Sequence, residues 1–338
     1  MKTLQLCCLL ALPAAAAAAA PDAYTTKEIP LPGGSADGIG MDYIAFDGKT
    51  GFVWVPAGGT AAVDVVDTAT GKVSQVSGWK TQEMERRGRK RTVGPSSASV
   101  GDGVVYVGNR GDFTVCAVDA KTLTRGTCSH PLDSMPDGVA YVASKKEVWV
   151  TTPRDKSIRI LDGKTLAEKA KLTFEGEPEG FAVDGKRGRF YTNLEDKDRT
   201  LAIDLETRKT VATWLPACGE DGPKGLAVDE PSGFLFVACA AGAEVLDAGH
   251  DGKVLSKIDT GEGVDNLDYA AARKTVYVGA AGAARLTVAT VDDKGKLAVT
   301  AQVATKKGAR NGVVTDKGEV YLTVSPSSEL IVAVPAPK

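Results

Sequence analysis

Seven residues fall at one corresponding point of a motif that recurs through the chain: Asp42, Ser97, Asp137, Glu179, Lys224, Asp265 and Asn311. Four carry carboxylates, one carries an amide, and Lys224 alone is basic. An oxygen-rich set of this kind suits a hard cation, because Ca²⁺ and Mg²⁺ take several oxygen ligands. Asp42, Asp137, Glu179, Asp265 and Asn311 are therefore candidate metal ligands. Crowded carboxylates also push one another's pKa upward, which would make a general acid or base available near neutral pH. The plainer alternative is a rim of solvated turn residues. All seven are candidate ligand-binding residues, and none stands out as catalytic.

Other chemistries are poorly supplied. His130 and His250 are the only histidines, and no Cys-x-x-Cys occurs. A zinc hydrolase or a His-activated nucleophile is hard to build from that stock. The formal net charge is −2, so no global electrostatic case exists for nucleic acid. One local exception is the basic run Arg86-Arg87-Gly88-Arg89-Lys90-Arg91, in the longest insertion of the chain. It reads either as a flap for an anionic ligand or acidic partner, or as a mobile solvated loop. Trp79, just upstream, would stack on a ligand or anchor the loop.

The elements that must position these residues are short strands. A unit of about 40 to 45 residues repeats, in the range of propeller blades. It is plainest from Pro136, Pro178 and Pro223, with looser copies near Met41, Ser96, Val264 and Arg310. Each unit reads as four strands. The first is rich in small residues. The second centres on an aromatic: Trp54, Tyr106, Trp149, Tyr191, Phe236, Tyr277 or Tyr321. The third is aliphatic and ends in Asp67, Asp119, Asp162, Asp204, Asp247 or Asp292, whose carboxylates suit the turn that follows. The fourth alternates. Alternation and regular turn signals argue strands throughout.

The fold class is therefore all-β: a seven-bladed β-propeller of four-stranded blades. Twisted blades round an axis crowd the inner strand, and larger side chains fill the space between blades. The last unit lacks a fourth strand, and Tyr24–Leu31 has no unit of its own. The N-terminal strand should join the last blade, near Leu330–Val334, and close the ring. The seven residues above would then meet at one mouth of the central channel.

Residues 1–20 read as a signal peptide: Lys2, an apolar run from Leu4 to Leu12, then an alanine tract. Residues 21–338 form the single propeller domain, with no segment apolar enough to span a membrane. A periplasmic or secreted location follows, as a monomer. Four cysteines then remain, and an oxidising compartment lets them pair. Cys116 and Cys128 are symmetric about Thr122, so a hairpin there sets them opposite one another. Cys218 and Cys239 end up near the mouth and form the second pair.

The run Tyr106-Val107-Gly108-Asn109-Arg110-Gly111-Asp112, continuing to Asp119, resembles the YVTN repeat of bacterial β-propellers. Val276-Tyr277-Val278-Gly279 and the Asp-x-x-Thr turns at Asp67 and Asp119 are similar to it too. The resemblance covers nearly the whole chain after the leader and implies the fold. Members range from binding proteins to enzyme subunits, so it implies little about function. Two functional readings follow. The first is a non-enzymatic scaffold that holds a small ligand or protein partner at the mouth. The alternative is a metal-dependent hydrolase, lactonase-like, at the carboxylate ring.

Overall fold

The computed structural model describes residues 23–86 and 88–337. Residues 1–22, on which the signal-peptide reading falls, lie outside the described residues, as do Arg87, Lys338 and the side chains of Arg86 and Arg89. Seven four-stranded antiparallel sheets form the ring of blades. Their inner strands are Ala45–Asp47, Pro95–Gly101, Val139–Val142, Pro178–Asp184, Pro223–Asp229, Val264–Ala270 and Ala309–Val314, numbered here as blades 1 to 7.

The seven aromatics of the second strands explain how the blades adhere. Trp54, Tyr106, Trp149, Tyr191, Phe236, Tyr277 and Tyr321 are all buried. Each belongs to a different apolar cluster. Trp54 packs with Val105 and Val107 of blade 2, and Trp149 with Phe190 and Ile203 of blade 4. Tyr321 of blade 7 completes the circuit against Val53 and Val55 of blade 1. One large ring per blade thus fills one blade–blade interface. A side chain of that size is worth about 3–5 kcal/mol against truncation to alanine.

Ring closure follows the expected route. Tyr24–Pro30 pairs antiparallel with Glu329–Pro335, in the register Thr25↔Val334 to Ile29↔Leu330. It forms the outer strand of blade 7. Lys306 Nζ ties the two strands together, 2.6 Å from Glu28 and 2.8 Å from Glu329.

Both disulfides form, Cys116–Cys128 and Cys218–Cys239. Cys116 lies opposite Cys128 across the third and fourth strands of blade 2. The hairpin is not uniformly symmetric, since Val118 pairs with Arg125 and a bulge restores the cysteine register. The third-strand aspartates cap their turns: Asp67, Asp119, Asp162, Asp204 and Asp247 each accept a backbone N–H two residues on.

The basic run departs from the loop expected of it. Gln82–Arg86 and Arg89–Val93 form a two-stranded hairpin, with Met84↔Arg91 and Glu85↔Lys90 opposed. Trp79 is buried at its base, and its Nε1 donates to the Val76 carbonyl at 2.8 Å. Arg125 covers the ring at 5.1 Å. Trp79 is therefore an anchor, and its face is already occupied.

Candidate functional site at the channel mouth

The mouth is built by irregularities at the start of the inner strands. In blades 4, 5, 6 and 7 the pairing register slips between Pro178 and Phe181, Pro223 and Leu226, Val264 and Leu267, and Arg310 and Gly312. Glu179, Lys224, Asp265 and Asn311 sit inside those slips. A bulge re-aims one side chain away from the sheet's alternation, which turns these residues to the channel. Asn311 pays a backbone cost there, with φ at +44°. Side chains of the second strands hold the slipped backbone. Thr192 Oγ1 donates to the Gly180 carbonyl at 3.1 Å, and Thr323 Oγ1 to the Arg310 carbonyl at 2.8 Å. Asn193 Nδ2 donates to the Lys224 carbonyl at 2.6 Å.

Gly180 and Gly225 show how tightly the inner strands approach. A Cβ on Gly180 would lie 2.1 Å from the Lys224 carbonyl oxygen, and one on Gly225 would lie 2.0 Å from Asn266 Oδ1. Only glycine permits that contact.

A hydrogen-bonded arc runs through five successive blades. Asn311 of blade 7 donates through Nδ2 to Asp265 of blade 6 at 2.7 Å and to Asp42 of blade 1 at 3.0 Å. Arg110 of blade 2 then bridges Asp42, at 2.8 Å, and Asp137 of blade 3. Arg310 lies 3.2 Å from Asp265 at the far end. The amide orientation of Asn311 follows from its partners, because an oxygen turned to two carboxylates would be repelled.

Arg110 was not among the residues singled out by sequence. It occupies the turn between the second and third strands of blade 2, the blade whose ring position holds Ser97 in place of a carboxylate. The missing acid at Ser97 was the only signal of a cation supplied from elsewhere. The inserted hairpin holds Arg110 in place. Gln82 Nε2 donates to the Arg110 carbonyl at 2.6 Å, and the Arg110 N–H donates to the Gly94 carbonyl at 2.9 Å. Asn109 Nδ2 reaches the Lys80 carbonyl at 3.1 Å.

Three of the seven sequence-selected residues do not join the arc: Ser97, Lys224 and Glu179. Ser97 is fully buried, and a Cβ on Gly108 would meet its hydroxyl, so it faces the sheet. Lys224 turns aside to pair with Glu195 on the strand 2–3 turn of blade 4. Lys224 thus neutralises Glu195, and Arg110 takes the part in the ring that a lysine would have filled.

Glu179 stands where the arc is open. Burial pushes its carboxyl well above the usual range, and Asp137, Asp42, Glu195 and Asp265 push it further. Burial also raises Asp137, to about 6. Arg110 opposes that rise, and Asp42 adds to it. Asp265 is raised by burial against the pull of Arg310. For Arg110, desolvation works against the charge. Asp137 and Asp42 outweigh it and raise the guanidinium pKa. Tyr43 belongs to the same group. Burial raises its phenol well above the usual value, with Glu179, Asp137, Asp42 and Asp265 adding to the effect. The Tyr43 ring comes from blade 1 yet lies 5.5 Å from Phe181 of blade 4. Those blades stand across the ring from each other, so the two aromatics meet across the channel.

For a metal, the free oxygens are fewer than the sequence suggested. Both oxygens of Asp42 already accept N–H groups. Asp137, Glu179 and Asp265 remain as donors, with the Arg110 guanidinium beside them. Cys218, Cys239 and Glu244 also lie together, but both sulfurs are committed to the disulfide. His130 is exposed and has no hydrogen bond to the ring carboxylates, and His250 Nδ1 pairs with Asp247 at 2.7 Å.

No family model and no curated protein sequence matches this chain. Solved structures do match it in shape. A chain of a mitotic checkpoint complex superposes with a TM-score of 0.74 at 12% identity, over 100% of this chain and 99% of that one. Hydrazine synthase of Kuenenia stuttgartiensis gives 0.72 at 14%, over 89% and 96%. Virginiamycin B lyase of Staphylococcus aureus gives 0.71 at 11%, over 93% and 100%. At these identities the likeness establishes the propeller fold, shared by protein-assembly subunits and lyases alike.

Proposed function

We propose that this chain is an exported, non-enzymatic scaffold that binds a small ligand or a protein partner at the channel mouth. The observation that carries the reading is the five-blade arc, which is rigidly cross-linked by N–H donors yet leaves Glu179 and one oxygen of Asp137 without a partner. A built, incompletely satisfied polar site at the mouth of a channel is a binding site in physical terms. Two disulfides fit an oxidising compartment, consistent with a cleaved leader and a periplasmic or secreted monomer. The YVTN-like repeats fit a bacterial family of such propellers.

Native mass spectrometry of protein purified from its own compartment tests this. A bound mass is expected on the parent and on a variant of the opposite face, Asp292→Asn. It should be lost from Arg110→Met, which leaves Asp137 without its donor and Asp42 with Asn311 alone. Retention of the mass by Arg110→Met, with loss from Asp292→Asn, would place the site on the other face.

The alternative, a hydrolase of the lactonase type, is favoured by one observation: three mouth carboxyls, Asp137, Glu179 and Asp265, have raised pKa values. It requires Ca²⁺- or Mg²⁺-dependent ester or lactone turnover that disappears in Glu179→Gln.

A further inference from the structure

We propose that the open arc of the mouth is a subsite for a primary ammonium group, held by Asp137 and Glu179 near the Tyr43 ring. The inference rests on the mouth-binding reading and names the chemistry of the occupant.

Three observations converge. First, every satisfied carboxylate of the ring is satisfied by a nitrogen donor. Arg110 serves Asp42 and Asp137, Asn311 serves Asp42 and Asp265, and Arg310 serves Asp265. The carboxylate oxygens are thus spaced to accept N–H groups from neighbouring blades. Second, two acceptors of the ring, Asp137 Oδ2 and Asn311 Oδ1, are left over in a place that water reaches poorly. Asp137 is 8% exposed, and its Oδ2 is buried with no hydrogen-bond partner. An unsatisfied buried acceptor costs free energy that an entering donor recovers. Third, an aromatic ring lies within electrostatic reach of the same carboxylates. Tyr43 leans on Phe181 at 5.5 Å, and a π-face favours a cation and adds nothing for a coordinating metal.

A divalent metal fits less well. Ca²⁺ takes 6–8 oxygens, and Mg²⁺ holds several waters. Both oxygens of Asp42 already accept an N–H group, and the Arg110 guanidinium would lie beside the ion. An ammonium needs only about three acceptors and carries one charge. Asp137 Oδ2, Glu179 and a water supply those, and the raised pKa values supply a signature. Glu179 faces Asp42, Asp137, Asp265 and Glu195, with Arg110 bridging two of them, Lys224 on Glu195 and the Tyr43 phenol within the group. A cation entering beside Asp137 and Glu179 displaces any proton that these raised carboxyls hold. Binding should release protons where the carboxyls titrate, about pH 6 for Asp137, and strengthen as pH rises through that range.

The ammonium has two sources, a free diamine or a lysine side chain of a partner. Calorimetric titration of the full mature protein with 1,4-diaminobutane, with Nα-acetyl-lysine methylamide, with tetramethylammonium and with Ca²⁺ separates them. The proposal expects binding of at least one primary amine and proton release measured across buffers of different ionisation enthalpy. It expects Glu179→Gln and Asp137→Asn to weaken that binding about tenfold or more. Tighter binding of the diamine points to a small ligand, and tighter binding of the lysine derivative to a partner's side chain. Thermal melts of both variants show that they remain folded. Tyr43→Leu gives a second check, because it should weaken amine binding while leaving both carboxylates in place. Flat traces with both amines overturn the ammonium subsite, as does Ca²⁺ binding in their stead or equal amine binding by Glu179→Gln. The scaffold reading survives any of these if the native bound mass is still lost from Arg110→Met.

Discussion

Asp64 shows what one buried carboxylate does when it is not part of the mouth. It is fully buried in the third strand of blade 1, where Gln75 Nε2 donates to Oδ1 at 2.8 Å and Oδ2 has no partner. Burial pushes it to about 6, against the pull of Gln75. A carboxyl raised on folding binds its proton more tightly in the native state. Its favourable contribution is complete at about pH 4 and is lost as pH rises through about 6. Asp64→Asn keeps the acceptor for Gln75 and removes the ionisable oxygen. The variant should be more stable than the parent by about 1–2 kcal/mol at pH 7.5 and roughly equal to it at pH 4. Urea denaturation at both values checks this, and a pH-independent difference would count against the buried charge. Asp137 and Asp268 titrate in the same window, so the comparison is variant against parent at each pH.

Among elements, the inserted hairpin and the two disulfides act on the mouth face or its neighbours without touching the carboxylates. The hairpin grips the backbone of Arg110 from Gln82 and Gly94, so it sets where the one ring cation stands. Cys218–Cys239 ties the segment entering blade 5 to that blade's second strand. Asp198 Oδ1 and Oδ2 accept the Cys218 and Gly219 N–H groups at 3.1 and 3.2 Å. Cys116–Cys128 closes a short loop, with a sequence separation of 12. Replacing both of its cysteines with serine should cost about 2–3 kcal/mol, on a chain-entropy account. Blade 2 carries Arg110, so mouth binding should also weaken. Non-reducing peptide mapping establishes the bond, and equilibrium denaturation with and without reductant measures its worth. A serine pair as stable as the parent would show that the loop entropy is recovered elsewhere.

For the molecule as a whole, closure is the main structural event. Without Tyr24–Pro30, the strand Glu329–Pro335 would present a row of unpaired backbone groups, and its partner in pairing would be another copy. Removing Tyr24–Pro30 from the protein should lower the thermal midpoint by roughly 5 °C or more and promote aggregation. Light scattering during a thermal ramp reads both. A truncated protein that melts with the parent and stays dispersed would show that the ring holds by its interblade clusters alone.

The strand content, the seven blades, their interblade aromatics, the closing strand and both disulfides were legible in the sequence. Each depends on a period of two, a repeat length or a parity that local residue order encodes. Asp42, Asp137, Glu179, Asp265 and Asn311 were legible for the same reason, since they recur at one point of the repeat. What only the tertiary structure decided is who neutralises them. Arg110 reaches Asp42 and Asp137 from a different point of the repeat, so no alignment of units sets it beside them. Lys224, aligned with the ring, is drawn off by Glu195. Tyr43 and Phe181 meet only because blades 1 and 4 face each other across a closed ring. Repetition predicts which residues share a position. Charge pairing depends on distances across the ring and on the slips of register that aim each side chain, and those exist only once the chain has closed.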